Sequence, residues 1–269
     1  MSQQQGARRP WLFTGVVPVL AVLVSCAPPE EDRAENEPRV AADPPPAVAP
    51  PDPGVEPPRV QLAHSGNPPM SVQDRPQQQL TGWAESMSDE LNIPLAALQA
   101  YGYAARAAEQ EHPGCGIGWS TLAGIGAIES SHGRYGGAKL DETGRPSVAI
   151  RGLPLDGSNG VKRIEDTDRG AMDGDLVFDR AIGPLQFIPI TWNRWAADAD
   201  GDGVADPNDI DDAALAAAGY LCTVGGDLRN PDGFWRALLD YNESHDYGQD
   251  VIDHADQYGR ISRTLATEN

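Results

Sequence analysis

The stretch WSTLAGIGAIESSHG, Trp119 to Gly133, decides how this chain is read. Its apolar residues recur at helical spacing, Ser120 is placed to cap the start, and Gly133 suits the position just past a helix end. On such a helix Glu129 shares a face with Ile125 and Gly126 and, one turn further back, Leu122. Gly124 and Gly126 both lower helix propensity, which predicts that another backbone or a ligand comes close there. A carboxyl group at this end of a helix feels the negative end of the dipole, and partial burial among apolar neighbours favours its neutral form. That is how a general acid is prepared. The plainer alternative is a solvated glutamate at a helix end. Ser130, Ser131 and His132 do not make a nucleophilic triad with Glu129, because consecutive helical residues point about 100° apart.

Outward from this stretch the helical pattern continues. Pro94 opens PLAALQAYGYAARAAEQE, and HPG stops it. Further on come PITWNRWAA, DDAALAAAGYLC and NPDGFWRALLDYN, the last with Asn230 as cap and Pro231 in the first turn, and a final segment spans about 249 to 265. Alternating strand patterns are scarce and no internal repeat is visible, so residues 77–269 are expected to form a mainly α domain with few or no strands. A polar excursion rich in Gly and Asp, from Gly136 to Asp179, interrupts the helices and is expected to border a cleft.

The 269 residues allow one sizeable domain with appendages. Arg8 and Arg9 precede WLFTGVVPVLAVLVSC, which is short for a membrane span and broken by Pro18, so residues 1–25 read as an export signal. The signal ends in Leu-Val-Ser-Cys, which resembles a lipobox with Cys26 as the lipidated first mature residue. An ordinary cleaved signal with an incidental cysteine is the alternative. Thirteen of the 24 prolines lie between Pro28 and Pro69, and residues 26–76 are expected to be a disordered tether. With Cys26 lipidated, Cys115 and Cys222 remain to pair as a disulfide in an oxidising compartment, the alternative being two buried thiols. A net charge of −20 without a basic face excludes a nucleic-acid partner.

The segment DADGDGVADPNDIDD, Asp198 to Asp212, holds oxygen ligands at the first, third and fifth positions of an EF-hand loop (Asp198, Asp200, Asp202). Gly203 stands at the sixth, the Val204 carbonyl at the seventh and Asp209 at the twelfth. So many like charges in one turn repel unless a cation is bound, so a structural calcium ion is expected, against the alternative of a solvated acidic turn.

Three motifs occur in order: ESxxG at Glu129, then GxxQF with a following Pro and aromatic at Gly183 to Trp192, then Tyr241-Asn242. Together they resemble the lytic transglycosylases of the lysozyme-like superfamily, and most of all the membrane-bound type B branch, in which a calcium loop follows GxxQFxP. The resemblance covers about Leu91 to Tyr258 and implies a lysozyme-like, goose-type helical fold. It implies Glu129 as the single catalytic acid/base, Ser130 beside it in the cleft, Gln186 and Phe187 along the sugar sites, and Tyr241 with Asn242 positioning N-acetylmuramic acid. In the branch the calcium loop runs longer and closes at a position matching Asp212, so Asp209 and Asp212 both stand as candidates. Leu185 replaces a common Met and Asp240 a common Ala, which touches fine subsite contacts and not the acid.

The implied activity is cleavage of peptidoglycan between N-acetylmuramic acid and N-acetylglucosamine with formation of a 1,6-anhydro ring. The partners are glycan strands and, through Cys26, a membrane facing the wall. Two alternatives stay open. One is a hydrolytic muramidase with a second carboxylate, Asp173, Asp175 or Asp179 being nearest in sequence. The other is a wall-binding module without turnover.

Overall fold

The structure, a computed structural model, describes residues 48–63, 75–158 and 161–268. The expected export signal, Cys26, and the parts of the tether at 26–47 and 64–74 lie outside the described residues. After a 3₁₀ turn at Pro76–Leu80 come the short helices α1 (Thr81–Glu85) and α2 (Ser88–Leu91), then α3 (Leu95–Glu111) and α4 (Trp119–Ser130). The second half holds α5 (Pro189–Trp195), α6 (Ile210–Gly225), α7 (Pro231–Tyr241) and α8 (His245–Glu268). Between α4 and α5, β1 (Arg151–Pro154) runs antiparallel to β2 (Arg180–Ile182), with Arg151 opposite Ile182 and an irregular register. The fold is mainly α, with this small sheet confined to the excursion and the residues just after it. Among the described residues no helix is long and apolar enough to cross a membrane.

Alanine governs the packing. α3 buries most of its length and lies against α6, which is also rich in buried alanine, and small side chains let the two helices approach closely. α4 lies between α3 and α8 and is almost wholly buried. A β-carbon on Gly124 would sit 2.6 Å from the Val251 carbonyl oxygen of α8, and one on Gly126 would overlap the Tyr101 hydroxyl of α3. The two glycines of the opening stretch therefore mark close approaches of neighbouring helices. Cys115 and Cys222 form a disulfide between the loop before α4 and α6. Closing a loop of 107 residues contributes about 5 kcal/mol by chain entropy.

Two expectations are corrected. α4 starts at Trp119 with Gly118 as cap, so Ser120 lies inside the helix, and the helix ends at Ser130, three residues before Gly133. The Ser120 hydroxyl is used elsewhere, donating to the Asp52 carbonyl at 3.1 Å. The second correction concerns the tether. Residues 48–63 are not disordered but lie extended along the domain, with Gly54, Pro57 and Val60 buried. Trp119 Nε1 donates to the Val55 carbonyl (3.0 Å), the Val55 N–H donates to Ser262 Oγ (3.0 Å), and the Ala63 N–H donates to the Tyr103 hydroxyl (2.8 Å). Asp52 pairs with Arg263 of α8. Proline-rich chain is already extended, so fixing it on a surface loses less entropy than its low hydropathy implies. Gly54 makes the approach possible, since a β-carbon there would meet Ser262 Oγ at 2.5 Å.

Candidate active site

α4 carries Glu129 as its next-to-last residue, and the helix stops abruptly just beyond it. Ser131, His132 and Gly133 all take left-handed backbone conformations, with φ of 51°, 60° and 78°. The His132 ring turns inward and is 2 % exposed, its Nδ1 3.2 Å from the Tyr101 hydroxyl and its Nε2 3.0 Å from that of Tyr258. Burial pushes this imidazole down to about 3, so it is neutral at physiological pH. Ser130 is also buried. Its Oγ donates to the Pro184 carbonyl at 2.6 Å and accepts from the Gly133 N–H at 2.7 Å. The expected place for Ser130 in the cleft is thus corrected: its hydroxyl ties the end of α4 to the turn after β2.

The Glu129 carboxyl accepts a hydrogen bond from the Tyr247 hydroxyl at 2.7 Å. Burial pushes Glu129 up to about 7, the tyrosine bond pulling the other way. Burial and the nearby Glu129 charge in turn hold the Tyr241 and Tyr247 hydroxyls well above their ordinary value. No sequence signal singles out Tyr247. It reaches Glu129 from the first turn of α8, and no spacing between α4 and α8 announces that meeting.

Beside Glu129 lies a cleft of about 800 Å³. One wall is the excursion, with Leu155, Val161 and Ile164; the other comes from the GxxQF segment and the end of α7, with Gln186, Tyr241 and Asn242. Glu129 is not in the lining of this cleft; Tyr241, which is, lies close enough to feel its charge. Gln186 has a left-handed φ of 49°, and its Nε2 donates to the Gly183 carbonyl at 2.8 Å, which fixes the carboxamide on the wall. Phe187 lines the cleft but is 3 % exposed, edge-on to Trp192 and Tyr241, so it backs the wall more than it presents a face. The Tyr241 hydroxyl donates to the Leu185 carbonyl at 2.7 Å, and its ring stacks on Tyr220. Asn242 Oδ1 accepts from the Ser244 N–H at 3.2 Å.

The three acids weighed as a second catalytic carboxylate are engaged elsewhere. Asp179 is fully buried and accepts from the Thr167 N–H and hydroxyl. Asp173 accepts from the N–H groups of Asp175 and Arg180, and Asp175 pairs with Arg180 at 2.9 Å. None of the three lines the cleft. Two other carboxylates do: Asp240, whose Oδ2 accepts from the Tyr220 hydroxyl at 2.8 Å, and Glu243.

In the acidic loop, Asp198, Asp200 and Asp212 bring carboxylate oxygens within 4.8 Å of one another. Asp212 is fully buried and accepts from the N–H groups of Ala199 (2.7 Å) and Asp206 (2.9 Å). Burial pushes it up to about 9. Asp209 is placed differently: it caps α6 through the Asp211 N–H at 2.9 Å and lies 3.3 Å from Arg145. Asp202 also faces Arg145, at 3.5 Å, and the Val204 side chain is exposed. A second trio, Asp166, Asp168 and Asp179, has the same mutual spacing within the excursion.

Residues 164–231 match a family model described as Transglycosylase SLT domain. The matched segment holds Gln186, Phe187 and the acidic loop but ends before Tyr241 and begins after Glu129. No curated protein matches the chain. Two solved structures are similar. One is the lytic transglycosylase Slt35 of Escherichia coli in complex with bulgecin A, 14 % identical, with 68 % of this chain and 79 % of that one covered and a TM-score of 0.40. The other is SltB3 from Pseudomonas aeruginosa in complex with NAG-anhNAM-pentapeptide, 16 % identical, with 72 % of this chain and 68 % of that one covered and a TM-score of 0.37.

Proposed function

We propose, from the premise that this enzyme carries a Transglycosylase SLT segment, that it is a peptidoglycan lytic transglycosylase of the type B kind with Glu129 as its acid/base. The observation that carries the reading is the Glu129 carboxyl: half-buried at a helix end beside a cleft, hydrogen-bonded to a tyrosine, and pushed up to about 7 by desolvation. Protonated, it donates to the glycosidic oxygen between N-acetylmuramic acid and N-acetylglucosamine. As the leaving sugar departs, the substrate's acetamido group shields the developing positive charge at C1. The Glu129 carboxylate then takes the proton of the C6 hydroxyl, which attacks C1 and closes the 1,6-anhydro ring. Proton and bond counts balance without water. Ordinary glycosidases need a second carboxylate; here the substrate supplies that help. Tyr247 holds the orientation of Glu129, and Gln186, Tyr241 and Asn242 line the path of the glycan.

The acidic loop fits a calcium ion. Its donors are all oxygen, and the buried Asp212 lies against Asp198 and Asp200, an arrangement that like charges resist without a cation. Asp198, Asp200, Asp202, the Val204 carbonyl and Asp212 would hold the ion, with Asp209 left to cap α6. When bound it supplies charge neutralisation and pins the connection between α5 and α6. Export, lipidation at Cys26 and a place on a membrane facing the wall complete the proposal.

Incubation of the full chain with purified peptidoglycan tests the reading. Wild type should release soluble fragments, and Glu129→Gln should sediment with the wall without releasing any. A wild type that sediments and releases nothing would make this a binding module.

A further inference from the structure

The cleft carries a charge asymmetry that the cleavage chemistry does not use. Of the side chains lining it among the described residues, Lys162 is the one cation. It is also one of only two lysines in the chain, the other being Lys139, against 20 basic residues in all. Lys162 belongs to the excursion, and its Nζ lies 3.0 Å from Oε1 of Glu243, which follows α7 81 residues later and also lines the cleft. The pair ties the excursion to the chain just after α7 within the lining of the cleft. Both side chains are well exposed, at 68 % and 78 %, so the bridge is solvated and its loss on exchange for another partner is small.

We infer that Lys162 is a specificity-determining residue: it leaves Glu243 when substrate enters and receives a carboxylate from the peptide stem borne by the glycan. The inference rests on the proposed transglycosylase reading, since it concerns the non-sugar part of that substrate. Three observations support it. The protein carries a formal charge of −20, so an anionic stem meets net repulsion and gains most from a cation placed inside the cleft. The other lining charges are Asp240, bonded to Tyr220, and Glu243, so Lys162 is the available partner for an anion. A lysine in a chain that otherwise uses arginine also fits the task, because a flexible point charge exchanges partners without a fixed bidentate geometry. Glu243 then acts as a resting partner that competes with the stem, and it sets how strongly stems are preferred.

The test compares full-length wild type, Lys162→Met, Lys162→Arg and Glu243→Gln on two substrates: glycan strands bearing peptide stems, and the same strands after enzymatic removal of the stems. The readout is the ratio of kcat/KM on stem-bearing to bare strands. Lys162→Met is expected to lower the ratio about three- to fivefold, mostly through KM on the stem-bearing strands, and Lys162→Arg to restore most of it. Glu243→Gln is expected to raise the ratio about two- to threefold by freeing Lys162. An unchanged ratio in Lys162→Met, or Lys162→Arg behaving as Lys162→Met, overturns the inference while leaving the transglycosylase reading intact. A wild type that cleaves neither strand overturns both.

Discussion

Glu129 and Asp212 are both carboxyl groups shifted upward by burial, to about 7 and about 9, yet their surroundings differ in kind. Glu129 faces the hydroxyls of Tyr247 and Tyr241. Asp212 faces two backbone N–H groups and the carboxylates of Asp198, Asp200 and Asp209. Burial among neutral groups leaves a proton that comes and goes near neutral pH, which suits proton transfer. Burial among like charges leaves a group that a cation must stabilise. One residue chemistry is thus turned to two uses by its neighbours, and each use can be broken separately.

The largest effect is expected at Glu129. Replacing it with Gln should lower kcat on the order of 10³-fold while leaving the melting curve cooperative, read by release of soluble fragments and by circular dichroism. A variant that keeps a tenth of the wild-type rate would place the acid elsewhere. Next comes the cation. Saturating chelator should lower the thermal midpoint by about 5–10 °C, with recovery on adding calcium, and Asp212→Asn should melt low with or without chelator. Glu129→Gln should respond to chelator as wild type does. A wild-type midpoint that ignores chelator would make the loop a self-sufficient acidic turn.

The third effect is a pH dependence. Glu129 must begin protonated, so the rate should fall as pH rises through about 7, and Tyr247→Phe should move that limb to higher pH, because the tyrosine bond favours the carboxylate. Stability depends on the same group: its folded value lies above the ordinary 4.5, so the folded state binds the extra proton between about 4.5 and 7. Stability from this source is present at low pH and lost as pH rises through about 7, and Glu129→Gln should flatten the decline. A limb that stays in place in Tyr247→Phe would separate the phenol from the acid. The smallest effect belongs to a third kind of carboxylate, the half-exposed Asp52, which accepts from the Gly54 N–H and pairs with Arg263. Asp52→Ala should lower the midpoint by only a degree or two and leave kcat alone, as a solvated pair contributes under about 1 kcal/mol.

Much of the scaffold is legible in the sequence because local signals and packing agree. Asn230 caps α7 as its type predicts, accepting from the Asp232 N–H, and Pro94 precedes α3. The glycines of α4 announce close approach without naming the partner. Where the sequence misleads, the deciding contact lies far away along the chain. Ser120 looks like a cap but bonds Asp52, 68 positions earlier, and Ser130, which the family resemblance puts in the cleft, bonds Pro184. Proline content makes residues 48–63 look disordered, although Trp119, Ser262 and Tyr103 hold them. Tyr247 carries no motif, since its role exists only once α8 packs on α4. EF-hand spacing in the acidic loop points to Asp209 and the family resemblance to Asp212; the turn into α6 sets them apart, one as a helix cap and the other beside Asp198 and Asp200.

The central claim is that one carboxyl group and the substrate's own hydroxyl complete the reaction, and mass spectrometry of the soluble fragments from peptidoglycan tests it most directly. Fragments ending in 1,6-anhydromuramic acid are the expected result. Fragments with reducing muramic ends, heavier by one water, would contradict it and would turn attention to Asp240 and Glu243, the two carboxylates lining the cleft, for the second group of a hydrolase.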